Sequence, residues 1–431
     1  MKTVITALLL FIGTFSFSQQ RLTLPDAINI ALKNNPGLKI ANNNIAISNI
    51  GNTYGFAGGL PVVLGTGSDN EQVTNLNQKL NTGTEIDRSG SASNSAALGV
   101  AGSVLVFNGG KVVTEKKRLD IVEAQTHDQY TSRGLTVVSN VMVRYYDIIR
   151  QQGLAKTLLQ SIDASKKKLE IVKTQQSVGL ANNSDLFQAQ LDLNAQLQLL
   201  QAQQLVIDQD KTDLLTLLNL RPDSTVTISD TIIVDRNVKL DSVLKHLAIN
   251  PDLLVADQQI RINELLQTET DALRAPAVSA TAGYTFGRTQ NQAGNVLFNQ
   301  SYGPYVGLNF SVPIFNGGNY KRQSKIAGIN TANSKLLRDT IVISFTSAAV
   351  KNWEAYNNNL KQLETQQKNY DLSVQLLDLV LQRFQLRQAT ILDLNLAQQT
   401  FENAAYSLVN IAYAAKIAEI QLKKLSNQLS F

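Results

Sequence analysis

The chain of 431 residues contains no cysteine, two histidines, two methionines and one tryptophan. The absence of cysteine excludes disulfides, thiolate zinc sites, iron–sulfur clusters and cysteine nucleophiles. His127 and His246 cannot supply a multi-histidine metal site within one chain. Charged residues make up only 17% of the chain, against roughly 25% in typical soluble domains. No catalytic triad or phosphate-binding loop is visible, so we expect neither an enzyme nor a cofactor.

The net charge of +5 does not indicate nucleic-acid binding. The two basic runs, 116–118 and 166–168, lie in helical stretches beside acidic residues. Nucleic-acid binding requires a clustered basic face with interleaved aromatic residues, or a known binding module. We therefore expect both runs to be solvated helix faces, and we expect no nucleic-acid partner.

Residues 1–18 have the pattern of a secretory signal peptide. Lys2 precedes an apolar run from Val4 to Phe15, and Ser16 and Ser18 occupy the positions that a signal peptidase reads. The run is too short to span a membrane. No cysteine follows it, which argues against a lipoprotein, and no later apolar stretch predicts a spanning helix. We expect an exported chain that is either soluble or inserted as a β-barrel.

The rest of the sequence contains an internal repeat. Three short motifs recur in the same order: Asn-Pro at 35 and 250, Phe-Asn-Gly-Gly at 107 and 315, and Asp-Leu at 185 and 393. The last two share an offset of 208 residues. Separated matches at one offset predict a tandem duplication. We expect a first repeat at 19–226 and a second repeat at 227–431.

Each repeat is predicted to contain a long helical hairpin, at about 110–220 and 318–428. Apolar residues recur every seven positions, as at Leu186, Leu193 and Leu200, which is the spacing of coiled coils. A proline-free stretch of roughly 65 residues corresponds to a helix of about 100 Å. The other positions are rich in Gln, Asn, Ser and Ala. Their polar face is either the solvated outside of a fibrous coiled coil or the lining of a water-filled tunnel.

Each repeat also contains a predicted pair of strands between its short and long helices. We expect them at about 60–74 and 95–106, and at about 276–287 and 302–314. Loose alternation, aromatic residues near the strand ends and polar loops at 68–95 and 288–301 are typical of outer-membrane strands. Four strands cannot close a barrel that conducts solute, so an oligomer must complete it. An ordinary small exported sheet is the alternative.

Together these features resemble the TolC-like outer-membrane efflux proteins over about residues 20–428. The most specific motif is Gly-x5-Asp-Leu-x-x-Ala-Gln, which runs from Gly179 to Gln190, and the Leu-x-x-Ala start at Leu24 adds to it. The resemblance implies a mainly α fold with a β-barrel part, built from tandem-duplicated coiled-coil hairpins and four strands per subunit. It also implies a homotrimer whose 12-stranded outer-membrane barrel is continuous with a periplasmic α-helical barrel.

The resemblance further implies a passive exit duct in a tripartite efflux or type I secretion system, gated at its periplasmic tip. The implied partners are a periplasmic adaptor (membrane fusion) protein, an inner-membrane pump of the RND or ABC type, and outer-membrane lipid. Exposed small and apolar residues at the hairpin tips suit contact with adaptor helices. The candidates for this docking surface are Gly179, Leu180, Ser184, Leu386 and Arg387. The alternative function is a periplasmic coiled-coil structural or adaptor protein of an envelope complex.

Members of this family narrow at the tip, and the matching acidic positions here are Asp393 and Asp185. Three Asp393 carboxylates around one axis would repel one another and attract cations. The alternative role for both residues is capping of the helix that follows, and the two roles are compatible.

Three departures from the family pattern affect this constriction. Arg387 occupies the second glycine position, so we expect a turn that does not use glycine's positive φ. Leu396 occupies a second acidic position, and Phe384 and Ala389 stand where a gating Tyr and Arg are found. We therefore predict at most one acidic ring, at Asp393, or closure by Phe384 and Leu396.

Overall fold

The computed structural model describes residues 20–429, and the predicted signal peptide at 1–18 lies outside the described residues. The chain is 64% helical and contains one four-stranded antiparallel sheet. This confirms the prediction of a mainly α fold with four strands in each chain. Within residues 20–429, no helix is both long enough and apolar enough to cross a membrane.

The elements follow one another in nearly the same order in the two halves of the chain. The first half contains β1 (Gln20–Arg21), α1 (Leu24–Asn34), α2 (Pro36–Gly51), β2 (Val62–Lys79), β3 (Glu85–Phe107), α3 (Lys111–Ser177) and α4 (Asn183–Leu217). The second contains β4 (Val226–Thr227), α5 (Leu240–His246), α6 (Pro251–Ala272), β5 (Ala277–Asn291), β6 (Phe298–Ser311), α7 (Asn319–Gln385) and α8 (Ile391–Leu425). The predicted repeat boundary falls within β4 and stays a prediction.

The repeated Asn-Pro motif joins two helices. Asn35 ends α1, and its side-chain oxygen accepts a hydrogen bond from the backbone N–H of Leu38 at 3.1 Å. Pro36 starts α2, where its missing N–H leaves no bond unmade and its fixed φ suits the first helical turn. Pro251 likewise starts α6, and the side-chain amide of Asn250 before it donates to the carbonyl of Leu425 at 2.9 Å. The sequence reading anticipated only the helix before each motif.

The strands are longer than predicted, and this corrects the assignment of 68–95 and 288–301 to loops. β2 pairs with β3 from Val62↔Ser103 to Lys79↔Glu85, and β5 pairs with β6 from Ala277↔Ser311 to Gln290↔Phe298. Only residues 80–84 and 292–297 connect the paired strands. Thr, Ser and Asn side chains extend outward while their backbones continue the ladder, so a polar composition did not end the strands.

Contacts between Cα atoms divide the chain into two units. One contains the described residues up to 40, 130–251 and those from 342 onward, and the other contains 41–129 and 252–341. The first unit includes α4, α8 and both hairpin tips, and the second includes the four-stranded sheet. In the first unit, many of the predicted heptad positions are buried: Leu193, Ile207, Leu214, Leu394, Ala397, Phe401, Ala415, Ala418 and Leu422.

Candidate functional sites on the sheet and at the hairpin tips

The four-stranded sheet, in the order β2-β3-β5-β6, has one apolar face and one mainly polar face. The register aligns Leu98 with Phe286 and Tyr302, and alternate rows repeat this apolar character. The exposed side chains of this face are Val63, Leu98, Val100, Tyr284, Tyr302, Val306, Leu308 and Phe310. The opposite face is rich in small and polar residues, among them Thr66, Gly99, Ser103, Thr281, Thr285 and Asn309.

This alternation suits a sheet with lipid on one side and water on the other. Val306 is 86% exposed and Leu308 is 76% exposed, and burying such side chains in hydrocarbon is favourable. The apolar face of β6 runs from Tyr302 to Phe310, nine residues, and a tilted membrane-crossing strand needs about 9–11.

Aromatic residues mark one limit of the apolar face. Phe286 pairs with Tyr302, and the next three rows toward the connecting loop carry small or polar residues: Gly287↔Ser301, Arg288↔Gln300 and Thr289↔Asn299. Aromatic girdles at the ends of an apolar band are a property of outer-membrane strands. The sequence reading placed these aromatics near strand ends, but the longer strands put them at the boundary between an apolar and a polar segment.

The first hairpin tip is a tight turn between α3 and α4. Gly179 has φ 75°, and its N–H donates to the carbonyl of Gln176 at 3.0 Å while the N–H of Leu180 donates to that of Gln175 at 2.7 Å. These two bonds form the Schellman motif, which requires a left-handed residue at the glycine position.

The second tip, between α7 and α8, has the same geometry, which corrects the expectation for Arg387. Arg387 has φ 58°, so the turn adopts the left-handed conformation without glycine. The N–H of Arg387 donates to the carbonyl of Phe384 at 3.1 Å, and that of Gln388 to Arg383 at 2.7 Å. The Arg383 guanidinium also donates to the Gln388 carbonyl at 3.0 Å. The surrounding bonds therefore hold a residue whose own preference is against this φ.

Both candidate acidic residues belong to capping boxes. The N–H of Asp185 donates to the Asn182 side chain at 2.8 Å, and the Asp185 carboxylate accepts from the Asn182 N–H at 3.3 Å. Asp393 and Thr390 repeat this arrangement, at 3.1 and 2.8 Å. The capping role therefore holds for both residues, at the third helical position of a capping box.

Capping leaves part of the Asp393 carboxylate available. Its Oδ2 accepts from both the N–H and the hydroxyl of Thr390, each at 2.8 Å, and no described residue donates to its Oδ1. The Thr390 N–H and then its hydroxyl lower the pKa of Asp393, because both bonds favour the charged form. The side chain is exposed. Asp393 can thus cap α8 and present a stable negative charge to solvent.

The other constriction candidates differ in burial. Phe384 is 6% exposed and packs with Leu394, Ala397 and Phe401 in the apolar core of the hairpin region. Leu396 is 63% exposed and lies on the same side of α8 as Asp393, because residues three apart share a helix face. Within one chain, Phe384 therefore acts as a core residue, whereas Leu396 offers an apolar surface next to the carboxylate.

The docking candidates lie together at the exposed ends of the hairpins. Gly179, Leu180, Ser184, Leu386 and Arg387 are all exposed, with Leu180 at 50% and Leu386 at 68%. Two apolar residues that the sequence reading missed, Val178 at 65% and Leu392 at 73%, extend this surface. Their position beside the predicted turns was the available signal.

A cavity of about 300 Å³ separates the two tips. It is lined by Leu180, Asp185, Phe384, Arg387 and Thr390, among others. Asp185 is partly buried at this cavity, whereas Asp393 is not among its lining residues. The two equivalent carboxylates therefore face different surroundings, one toward the other hairpin and one toward solvent.

The two basic runs are not the uniformly solvated faces that the sequence predicted. Lys116 pairs with Asp120, and Arg118 with Glu115 and Glu269. In the second run, Lys166 and Lys167 are exposed, but the Lys168 side chain is 1% exposed. Internal partners therefore use several of these cations.

The chain matches the profile of the family described as "Outer membrane efflux protein" over residues 27–220 and 244–428. It therefore belongs to the outer membrane efflux protein family. Members of this family are outer-membrane channels rather than enzymes, and they work with adaptor and inner-membrane pump components in tripartite systems. The chain is an outer-membrane efflux protein with a large periplasmic part, as the sequence predicted.

Individual relatives agree with this assignment. The outer membrane protein TolC of Vibrio cholerae serotype O1 is 23% identical over 325 residues, which cover 71% of each protein. The VceC structure from Vibrio cholerae has a TM-score of 0.78 at 17% identity and covers 94% of this chain and 95% of its own. The CmeC outer membrane channel of Campylobacter jejuni has a TM-score of 0.77 at 18% identity, covering 95% and 87%. These two structures support the fold.

Proposed function

We propose that three copies of this chain form the passive exit duct of a tripartite efflux or type I secretion system, each giving four strands to a 12-stranded barrel. The two-faced sheet carries this proposal. Strands β2 and β6 each have only one partner within the described chain, and an open edge of this kind needs a cover. Pairing β6 of one copy with β2 of the next is a heterologous contact that closes into a ring.

The closed ring orients the faces of the sheet. The face with Val306 and Leu308 turns toward lipid, and the face with Thr281 and Thr285 turns toward a water-filled lumen. An ordinary exported sheet would cover its apolar face with protein, whereas this face is exposed. The chain supplies no phosphate-binding loop of its own, so energy comes from the pump.

The alternative function, a periplasmic coiled-coil structural or adaptor protein, would not need an uncovered apolar sheet. Cell fractionation separates the two functions. The exit duct is expected in the outer-membrane fraction and released only by detergent. Release of the full chain by osmotic shock alone would overturn the duct.

The gate of the duct is proposed to lie at the tips, with Asp393 and Leu396 facing the axis. Three Asp393 carboxylates related by symmetry form one acidic ring, which prefers cations and is blocked by multivalent ones. Leu396 adds an apolar ring one turn further along α8. Phe384 packs against the buried side of α8 and supports this constriction. Asp185, in the first hairpin, contributes to the constriction from its place at the cavity between the tips.

Single-channel recording of the purified chain in planar bilayers tests the acidic ring. Asp393→Ala is expected to change the conductance and to abolish cation block. Thr390→Ala is the matched control, since it removes the same cap but keeps the carboxylates. Unchanged conductance and cation block in Asp393→Ala would refute the ring, as would equal changes in both variants.

The exposed tips are proposed to dock the helical hairpins of a periplasmic adaptor, which links the duct to an RND or ABC pump. Because the chain has no cysteine, a single Ser184→Cys variant carries a cross-linker at one defined place. In cells, this variant is expected to form adducts with a periplasmic adaptor, identified by mass spectrometry. Ser407→Cys, on α8 and distant in sequence from the tip, is the control. Equal adducts from both positions would contradict docking at the tips.

A further inference from the structure

The third lysine of the run 166–168 lies inside the hairpin region. Successive helical residues are rotated by about 100°, so three in a row cannot face the same way. Lys166 and Lys167 point outward, whereas the Lys168 side chain is 1% exposed. Lysine is almost never fully buried unless it is paired, so its partners explain its position.

The Lys168 ammonium joins three helices. Its Nζ donates to Asp192 Oδ2 on α4 at 2.6 Å and to Asn395 Oδ1 on α8 at 2.7 Å. The Asp192 carboxylate also accepts from Gln188 at 2.7 Å through its other oxygen. The first hairpin is thus hydrogen-bonded to α8 at Asn395 through one buried cation.

A second polar connection lies one helical turn further along α8. The Gln398 amide donates to Ser161 Oγ at 2.6 Å and to Ser165 Oγ at 3.0 Å on α3. Gln196 on α4 donates to Glu402 at 2.9 Å. Residues 395, 398 and 402 lie on one face of α8, so they form a polar row beside the apolar row Leu394, Ala397 and Phe401.

The position of Asn395 connects this row to the proposed gate. Asn395 stands two residues after Asp393 and directly before Leu396 on the same helix. A rigid helical turn moves as a unit, so a bond at Asn395 fixes where both neighbours point. A buried ion pair adds little net stability compared with an apolar contact, but its directional bonds specify one arrangement.

We propose that Lys168 is a positioning residue that holds the first turns of α8 against the first hairpin and thereby sets the resting width of the tip. This proposal rests on the proposed duct and gate. Lys168 itself lies away from solvent and does not touch the permeating solute. It acts through Asn395, which carries Asp393 and Leu396 with it.

Planar-bilayer recording of the full purified chain tests this role. Lys168→Met keeps the apolar stem and removes the charge, and its resting conductance is expected to rise severalfold. Lys166→Met removes the same charge from an exposed position of the same run and is expected to match the wild type. Lys168→Arg keeps a charged donor and is expected to keep the resting conductance low.

A second variant distinguishes loss of the ion pair from a folding defect. Asp192→Asn has the same shape and removes only the partner's charge, so a smaller rise in resting conductance is expected. Helix content and oligomer size are measured for each variant. A folded Lys168→Met or Asp192→Asn with wild-type resting conductance overturns the positioning role, as does an equal rise in Lys166→Met.

The recordings also distinguish failure of the positioning role from failure of the proposed duct. If Lys168→Met has wild-type resting conductance while Asp393→Ala changes cation block, the proposed duct stands and the positioning role is overturned. If the wild-type chain forms no conducting channel at all, the proposed function itself falls, and the positioning role with it.

Discussion

The two hairpin tips have one backbone geometry and two sets of residues. Gly179 and Arg387 both adopt a left-handed conformation, at φ 75° and 58°, and each is followed by a capping box. Glycine therefore eases this turn without being required for it. The hydrogen bonds around the turn and the cap after it define the geometry.

The tips differ in the polarity, burial and charge of their side chains. Phe384 in the second hairpin is buried, and the residue 208 positions earlier, Gln176, is polar and partly exposed. Arg387 likewise places a cation where the first tip has Gly179. The two tips thus share a backbone geometry but differ in the side chains that they present at these two positions.

The largest expected difference between the tips is in packing. Phe384→Ala removes a ring from the core and is expected to lower the free energy of unfolding by about 3–5 kcal/mol. Gln176→Ala loses one hydrogen bond to Asn183 and is expected to lose about 1 kcal/mol. Denaturant unfolding of the purified chain in detergent measures both. Equal losses would show that the two positions are equivalent after all.

The next largest difference concerns the left-handed residue. Gly179→Ala forces an L side chain into φ 75° and is expected to destabilise by about 1–2 kcal/mol. Arg387→Ala replaces one L residue by another, so no new backbone strain arises and little change is expected. The same unfolding measurement compares them. A large loss in Arg387→Ala would mean that the arginine side chain itself stabilises the second tip.

A third difference appears on acidification. The pKa of Asp393 is lowered from 3.8 by the Thr390 N–H and hydroxyl. A carboxylate with a lowered folded pKa stabilises the fold above its unfolded pKa, and this contribution disappears as the pH falls through the folded value. Thr390→Val removes one donor, so the pKa of Asp393 should rise toward 3.8. The cation preference of the channel should then disappear at a higher pH than in the wild type.

Reversal potentials in planar bilayers between about pH 2 and 5 cover this range. Asn182→Ala, the corresponding change at the first tip, is the control and should leave the pH of the transition unchanged. A shift of equal size in both variants would mean that the cap, and not the charge of Asp393, controls selectivity.

The smallest expected effect is that of Arg387→Gly. Glycine relieves the strain at φ 58° but loses more backbone freedom on folding, and the two terms nearly cancel. The expected change is a gain of no more than about 0.5 kcal/mol. A clear loss in the unfolding measurement would show that bonds beyond the backbone hold the second turn.

Long-range patterns made most of the fold predictable from the sequence. The heptads over α4 and α8 and the repeat at one offset are redundant signals, so single exceptions did not obscure them. Positions such as Leu214, Leu394 and Phe401 are buried as the seam required. Sites that depend on a single residue were harder to predict, because the type of a residue does not determine the surroundings that the fold gives it.

Two misjudged residues show why. Arg387 takes its φ from neighbouring hydrogen bonds, which outweigh its own preference. Lys168 stands beside the seam position Leu169 and seven residues after the buried Ser161, so the helical phase placed it inside although its charge suggested solvent. The helical phase of the run 166–168, taken before its charge, would have predicted that Lys168 is buried.

In the proposed duct, the length of the strands determines how much of the sheet extends beyond the membrane. Strand β3 has 23 residues and β2 has 18, whereas crossing the hydrocarbon takes about 9–11. The surplus is a hydrogen-bonded hairpin whose connecting loop is only residues 80–84. For an antibody or a phage, this extension of the proposed duct would be a folded epitope assembled from two strands rather than a linear peptide. Strands β5 and β6, with 15 and 14 residues, form a shorter hairpin beside it.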